Sequence, residues 1–129
     1  MKKTLLVAAS LALAASATFA APKRVTLKVW ESAGPEKDFI IWAGKQFSKT
    51  NKGVKVTFEP VEATDPRAKI ELDGPAGVGA DVFVTPHDHI GALVAGGHVL
   101  ENPNKAYLND FIDSAKMAAT YGGKVYGYP

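Results

Sequence analysis

His87-Asp88-His89, with His98 close behind, is the densest group of chemically capable side chains in this 129-residue chain. Imidazole and carboxylate are ordinary ligands for zinc or nickel. The spacing argues against that use, because an i, i+2 histidine pair points both rings one way only on an extended strand, and this segment reads as a loop entering a helix. Polar loop contacts account for it, and no metal is expected. Asp88 has two further uses. Its carboxylate can accept hydrogen bonds from a hydroxylated ligand, or it can satisfy an orphan backbone N–H at the start of a short helix; both readings stand. Glu31 is similarly dual, as a ligand contact or as a solvated carboxylate at a strand end.

Other candidates are weaker. Gly74-Pro75-Ala76-Gly77-Val78-Gly79 has closely spaced glycines but precedes a strand, whereas a phosphate cradle follows a strand and opens a helix, so it reads as a linker loop. Trp30, Trp42, Tyr107, Tyr121, Tyr126 and Tyr128 include faces suited to stacking on a sugar ring. Trp42 is better explained by packing along its helix and Trp30 by packing against a sheet, which leaves the late tyrosines. No serine or histidine sits in a recognisable nucleophile setting. The positive case for an enzyme is empty, and no cofactor is implied.

These residues need a scaffold, and the periodicities supply one. Val25, Leu27 and Val29 with Trp30 make a first strand ending at Glu31-Ser32-Ala33-Gly34. Pro35 suits a first helical turn, Glu36 and Asp38 its positive end, and Phe39, Ile40, Ala43 and Phe47 recur at helical spacing until Asn51 and Gly53. Val54, Val56 and Phe58 alternate with polar residues as a second strand. Asp65-Pro66 opens a weak helix through Ala68, Ile70 and Leu72. Asp81 to Thr85 is a third strand whose apolar centre predicts burial on both faces. Ile90, Leu93 and Val94 form a short helix closed by Gly96-Gly97. Leu108, Phe111, Ile112, Ala115 and Ala119 predict one helix of about three turns. A turn at Tyr121 to Lys124 leads to a last strand, Val125 to Tyr128.

Alternating strands and helices predict an α/β fold with a doubly wound parallel sheet and right-handed crossovers. With strand two on one side of strand one and strand three on the other, a crevice opens at the carboxyl ends of strands one and three. Glu31 and Ser32 then face Thr85, Pro86, His87, Asp88 and His89 across it.

The amino terminus places this fold outside the cytoplasm. Lys2 and Lys3 precede a run without charge centred on Leu5, Leu6, Val7, Leu11 and Leu13, and Thr18-Phe19-Ala20 has the small-x-small pattern of an export peptidase site. Residues 1–20 are therefore read as a secretory signal, since the apolar stretch is shorter and more alanine-rich than the roughly 20 predominantly apolar residues of a span. Residues 21–129 suffice for one domain. The chain has no cysteine, hence no disulfide and no lipid-bearing cysteine to serve as a stable membrane anchor. The 15 basic residues, less Lys2 and Lys3, balance 13 acidic ones, and such neutrality excludes nucleic acid as an expected partner.

Taken in order, Leu27-Lys28-Val29-Trp30, Gln46-Phe47-Ser48-Lys49, Val54-Lys55-Val56-Thr57, Arg67-Ala68-Lys69-Ile70, Asp73-Gly74-Pro75-Ala76-Gly77, Asp81-Val82-Phe83-Val84, Pro86-His87-Asp88 and Gly123-Lys124-Val125-Tyr126-Gly127-Tyr128-Pro129 resemble the extracytoplasmic sugar-binding proteins of ABC importers. The resemblance is to the maltose, maltodextrin and cyclodextrin binders. It implies a periplasmic-binding-protein-like fold of which residues 21–129 form an incomplete first lobe, closure of two lobes on a maltooligosaccharide-type sugar, and delivery by a periplasmic monomer to a membrane permease. It places Asp88 at a position whose carboxylate bonds sugar hydroxyls and Ser32 where a polar side chain is expected in the first-strand loop; with Glu31, Thr85 and His89 from the crevice, these are the candidate ligand contacts. Gly34 and Pro35 depart from an acidic and a basic ligand contact of the best-known maltose binder, and Thr85 and His89 from its tryptophan and arginine. The resemblance further implies that a strand from the second lobe separates strand three from the last strand, leaving the latter unpaired or poorly packed here. Binding of another solute, or a metal-dependent hydrolase using His87, Asp88 and His89, are the alternative functions.

Overall fold

The computed structural model describes residues 24–129; the secretory signal read in residues 1–20 lies outside them. Strand β1, Val25–Glu31, is central. Strand β2, Val54–Pro60, pairs with it in parallel along its whole length, from Val25 opposite Val54 to Glu31 opposite Pro60. Strand β3, Val82–Phe83, pairs in parallel on the other side, with Val29 opposite Val82 and Trp30 opposite Phe83. The order β2-β1-β3 is the reversal of winding that the alternating pattern predicts.

Helix α1, Pro35–Thr50, opens on Pro35 and ends where Asn51 N–H and Nδ2 both donate to the carbonyl of Phe47. It packs on β2 and reaches β1. Gly44 permits the approach, since a Cβ there would lie 2.9 Å from Val56 Cβ. Helix α2, Pro66–Asp73, also has proline in its first turn. Side chains alternate across a strand, so the Leu27–Val56 row faces α1 and Trp30 faces the opposite side. There Trp30, Val61, Ile70 and Leu93 form the core, with Ala80, Phe83 and Val99 packed around them. Leu93 comes from α3, Ile90–Ala95, which follows a 3-10 turn at His87–His89 and ends at Gly96.

Three expectations are corrected. The third strand is not buried on both faces: Val82 and Val84 are 53% and 42% exposed. They lie on the α1 side of the sheet, and α1 is centred over β2, leaving the outer strand bare. The apolar stripe from Leu108 to Ala119 is not one helix. A 3-10 helix, Ala106–Asp110, and α4, Asp113–Ala118, are separated by extended backbone at Phe111 and Ile112. Tertiary tethering overrides the period: the Tyr107 hydroxyl donates to the Gly127 carbonyl, its ring lies 4.3 Å from that of Tyr128, and Asn102 and Asn104 side chains accept from the amides of Asn104 and Ala106. Thirdly, the last strand, expected unpaired over Val125 to Tyr128, is a paired strand displaced to Lys124–Val125, while Tyr126 to Tyr128 form no strand and Tyr128 is exposed. β5, Lys124–Val125, pairs antiparallel with β4, Thr120–Tyr121, and Val125 is buried. Gly122 and Gly123, at φ of 56° and 76°, form the tight turn that suits a two-residue hairpin. The hairpin stands apart from the three-stranded sheet, so β5 is not beside β3.

Behind β1 a polar cluster supports the core. Trp30 Nε1 donates to Glu59 Oε2 at 3.0 Å, Lys28 and Lys69 approach Glu59 at 3.5 Å each, and Lys69 bonds Asp73 at 2.6 Å. The Trp30 hydrogen bond, followed by the charges of Lys69 and Lys28, outweighs burial and holds the Glu59 carboxyl below its ordinary range. Its stabilising contribution is therefore full above the ordinary glutamate range and is lost as pH falls through the lower folded value. Urea titrations of the Glu59→Gln variant, whose amide still offers Trp30 an acceptor, should show a stability deficit at neutral pH that shrinks on acidification; a deficit constant with pH excludes the charge as its source. Leu93→Ala should cost about 2–5 kcal/mol in the same measurement, the range for emptying a well-packed leucine site.

Candidate functional site

Parallel pairing brings the carboxyl ends of β1 and β3 to one edge of the sheet. The pairing persists beyond the regular strand, because Asp81 N–H donates to the Lys28 carbonyl at 2.9 Å and Val84 N–H to the Trp30 carbonyl at 3.2 Å. Asp81 Oδ2 also accepts from Lys28 N–H at 2.8 Å. Ser32 lies two residues beyond Trp30, and Thr85 two beyond Phe83, its partner. The two loops thus leave the sheet side by side, and Ser32 and Asp88 belong to one end of the molecule.

The loop after β1 is held from below. Glu31 is only 9% exposed, and its Oε1 accepts from Ser32 N–H at 2.7 Å. Its carbonyl accepts from Val61 N–H at 3.0 Å, tying the loop to the segment that leaves β2. Glu31 is accordingly a buried brace under Ser32. That burial does not fit a solvated carboxylate at the strand end. Ser32 is half-buried at the surface above it.

The loop after β3 is built by Pro86 and a local clasp. Pro86 directs the chain into the His87–His89 turn, where His89 N–H donates to the Pro86 carbonyl at 3.1 Å. Thr85 Oγ1 and His89 Nδ1 lie 2.9 Å apart. This hydrogen bond spans the turn and leaves His87 and Asp88 exposed. Asp88 makes no side-chain cap at the turn or at α3, so the capping alternative is not used. Glu31 and Ser32 are brought together, as are Thr85 and His89, but no hydrogen bond or ion pair among the described residues joins the two sets. His87, Asp88 and His89 form no group of three metal-capable side chains; among the described residues there is none.

The arrangement is a wall rather than an enclosed pocket. Two cavities, of about 590 and 420 Å³, lie elsewhere, and neither is lined by Glu31, Ser32, Thr85, Asp88 or His89. The wall offers a hydroxyl, an exposed carboxylate and an imidazole to polar ligand groups. Sequence reasoning missed the supporting cluster of Glu59 with Lys28 and Lys69. Glu59 belongs to the alternating polar row of β2, which was the available signal; its place opposite Trp30 on the neighbouring strand is set by the register.

A parallel α/β lobe that gathers polar loop residues at a switch point of its sheet defines a ligand-binding class of protein. The family is fixed by comparison: residues 42–129 match the model for bacterial extracellular solute-binding proteins, and the chain belongs to that family. It is 36% identical over 99 residues to the maltodextrin-binding protein MdxE of Bacillus subtilis (strain 168), covering 72% of this chain and 22% of that protein. It is 32% identical over 133 residues to a galactooligosaccharide-binding protein of the same organism, covering 95% and 30%. The crystal structure of a cyclo/maltodextrin-binding protein complexed with maltotetraose superposes with a TM-score of 0.75 at 38% identity, over 83% of this chain and 28% of that one. The chain thus spans between about a fifth and a third of the length of these relatives. Its sheet is the periplasmic-binding-protein type of α/β fold.

Removing the Glu31 brace tests the construction of the wall. Glu31→Ala should destabilise the protein by about 1–3 kcal/mol, because the Ser32 amide loses its buried acceptor. Accelerated hydrogen exchange at Ser32, with the amides of β2 unchanged, is the expected signature, and unaltered exchange there would contradict the assignment.

Proposed function

We propose that this chain supplies one wall of a maltooligosaccharide-type binding site in an extracytoplasmic importer component. In this reading residues 1–20 are a cleaved secretory leader, residues 21–129 are part of the first of two lobes, and the protein works as a monomer in the periplasm. The observation that carries it is the emergence of the Ser32 and Thr85–His89 loops at one sheet edge, with Asp88 exposed and free of a capping role. Maltodextrin or maltotetraose in the names of two relatives supports the sugar class.

Ser32, Thr85, Asp88 and His89 would meet sugar hydroxyls, with Asp88 as the charged acceptor. Glu31 takes part through Ser32, as a positioning residue. A sugar that touches both lobes favours their closed arrangement by its differential affinity, and a membrane permease would read the closed form. Nothing in this scheme requires a cofactor or a catalytic step. A second reading within the same class is a galactose-containing oligosaccharide, favoured by the galactooligosaccharide-binding relative.

Thermal-shift measurements with maltotriose, maltotetraose and galactooligosaccharides on a protein carrying both lobes separate the two sugars. In that protein Asp88→Ala should weaken maltotetraose binding by about tenfold or more, as for loss of a charged hydrogen bond. Calorimetry on residues 21–129 alone should give weak or undetectable binding, and tight binding would refute the need for a second lobe. Undiminished affinity in Asp88→Ala would remove Asp88 from the site.

A further inference from the structure

We propose that the outer face of α1, continued through the loop into β2, is a docking surface for an anionic lipid bilayer. From Phe39 to Lys55 the chain carries Lys45, Lys49, Lys52 and Lys55 and no aspartate or glutamate. Ion pairs among the described residues engage Lys28, Arg67, Lys69, Lys105, Lys116 and Lys124, and none of these four. Lys49 Nζ donates to Gln46 Oε1 at 3.2 Å, a neutral partner. The four lysines border the cavity of about 590 Å³ between α1 and the free edge of β2, whose apolar lining includes Ile41 and Phe58.

Aromatic side chains share this helix surface. Trp42 is 58% and Phe39 62% exposed, with ring centroids 6.1 Å apart. Asp38, Trp42, Lys45 and Lys49 follow at three- and four-residue steps and so form one stripe, acidic only at its first-turn end and basic beyond Trp42. Large exposed apolar groups interleaved with unpaired lysines are the composition of a helix lying at a bilayer surface. The indole suits the headgroup level, while lysine stems lie along apolar surface and carry their charge to lipid phosphates. Each lysine near such a surface is worth about fivefold in partitioning.

The charge pattern favours a bilayer over an acidic protein. Lys45, Lys49 and Lys52 are distributed over a helix and a loop, and Lys55, from the opposite face of the sheet, borders the same cavity at the free edge of β2, a spread that matches a fluid plane of negative charge. This stretch contains no arginine to read carboxylate geometry bidentately. The basic end of this face lies away from the sugar wall, whereas Phe39 and Trp42 belong to the half of α1 that starts beside the Ser32 loop. Val25 N–H donates to the Gly53 carbonyl at 2.9 Å, which puts the Lys52 loop beside the start of β1, at the opposite end of the sheet from Ser32. The proposal stands independently of the sugar reading.

The test is vesicle binding by the chain without residues 1–20, whose own lysines and apolar run would bind anionic lipid, with phosphatidylglycerol-containing vesicles compared with pure phosphatidylcholine. Wild type should prefer the anionic vesicles, and added salt should weaken that preference. Lys49→Glu with Lys52→Glu should lower binding to anionic vesicles on the order of 25-fold or more. Brominated lipid should quench Trp42 and spare the buried Trp30. If the double variant misfolds by circular dichroism, Lys52→Glu alone, in the exposed loop, decides, with a loss of about fivefold or more expected. Binding insensitive to these substitutions, or equal on the two vesicle types, overturns the proposal. So does retention on polyglutamate without vesicle binding, which would assign the face to an acidic partner.

Discussion

The Trp30 indole N–H is buried at the centre of the sheet and must have an acceptor. Leaving such a donor unsatisfied costs about 1–3 kcal/mol. Glu59 on the neighbouring strand supplies the oxygen, and its own charge then needs compensation, which Lys28 and Lys69 provide. Lys69 also stands 4.8 Å over the Trp30 ring and bonds Asp73 at the end of α2. One buried aromatic residue therefore fixes the register of β2, the seat of α2 and the conformation of three charged side chains. The ion pairs are each partly exposed, and exposed pairs contribute about 0–1 kcal/mol. Their part is orientation, while the apolar contacts of Trp30 with Ile70, Val61 and Leu93 supply most of the stabilisation.

The same residue aligns the functional edge. Trp30 pairs with Phe83, and their rings pack at 6.4 Å. A shift of β3 by one residue would move Phe83 out of the core and onto the bare side occupied by Val82 and Val84, so the core resists slippage. With that register fixed, the end of β1 and the end of β3 are fixed relative to one another. Glu31 and the Thr85–His89 clasp then shape each loop locally. The wall is held from three sides: by the core, by a buried carboxylate, and by a hydrogen bond across a turn.

What could be read in advance follows the range of the determining interaction. β1, α1, β2 and α2 are legible because alternation, helical spacing and proline at a first turn act within the segment itself. The strand order was accessible from the rule that doubly wound sheets place their first strand centrally. The Leu108–Ala119 stripe misleads because a distant partner, Gly127, captures Tyr107, and local period carries no sign of that tether. Val82 and Val84 look like core because a buried parallel strand and a one-sided edge strand share the same composition. Glu31 shows the limit at the site: a carboxylate buried under a loop and one in water are the same letter. Asp88, by contrast, was legible in position and open in role, and the lack of a cap hydrogen bond narrows that role.

An open wall also sets what its polar groups can contribute. Asp88 is exposed, so a sugar hydroxyl bonding to it displaces water that bonds nearly as well, and the net gain is small. The same bond strengthens when a second surface excludes solvent, because the local dielectric falls and the competing water is gone. Rigid support then matters more than the number of contacts: loops already ordered by Glu31, Val61 and the Thr85–His89 clasp lose little entropy when a ligand arrives. A braced but solvent-filled edge therefore combines low ordering cost with low intrinsic affinity. In that combination binding energy becomes available chiefly on enclosure, which is the condition for coupling ligand capture to a change of shape.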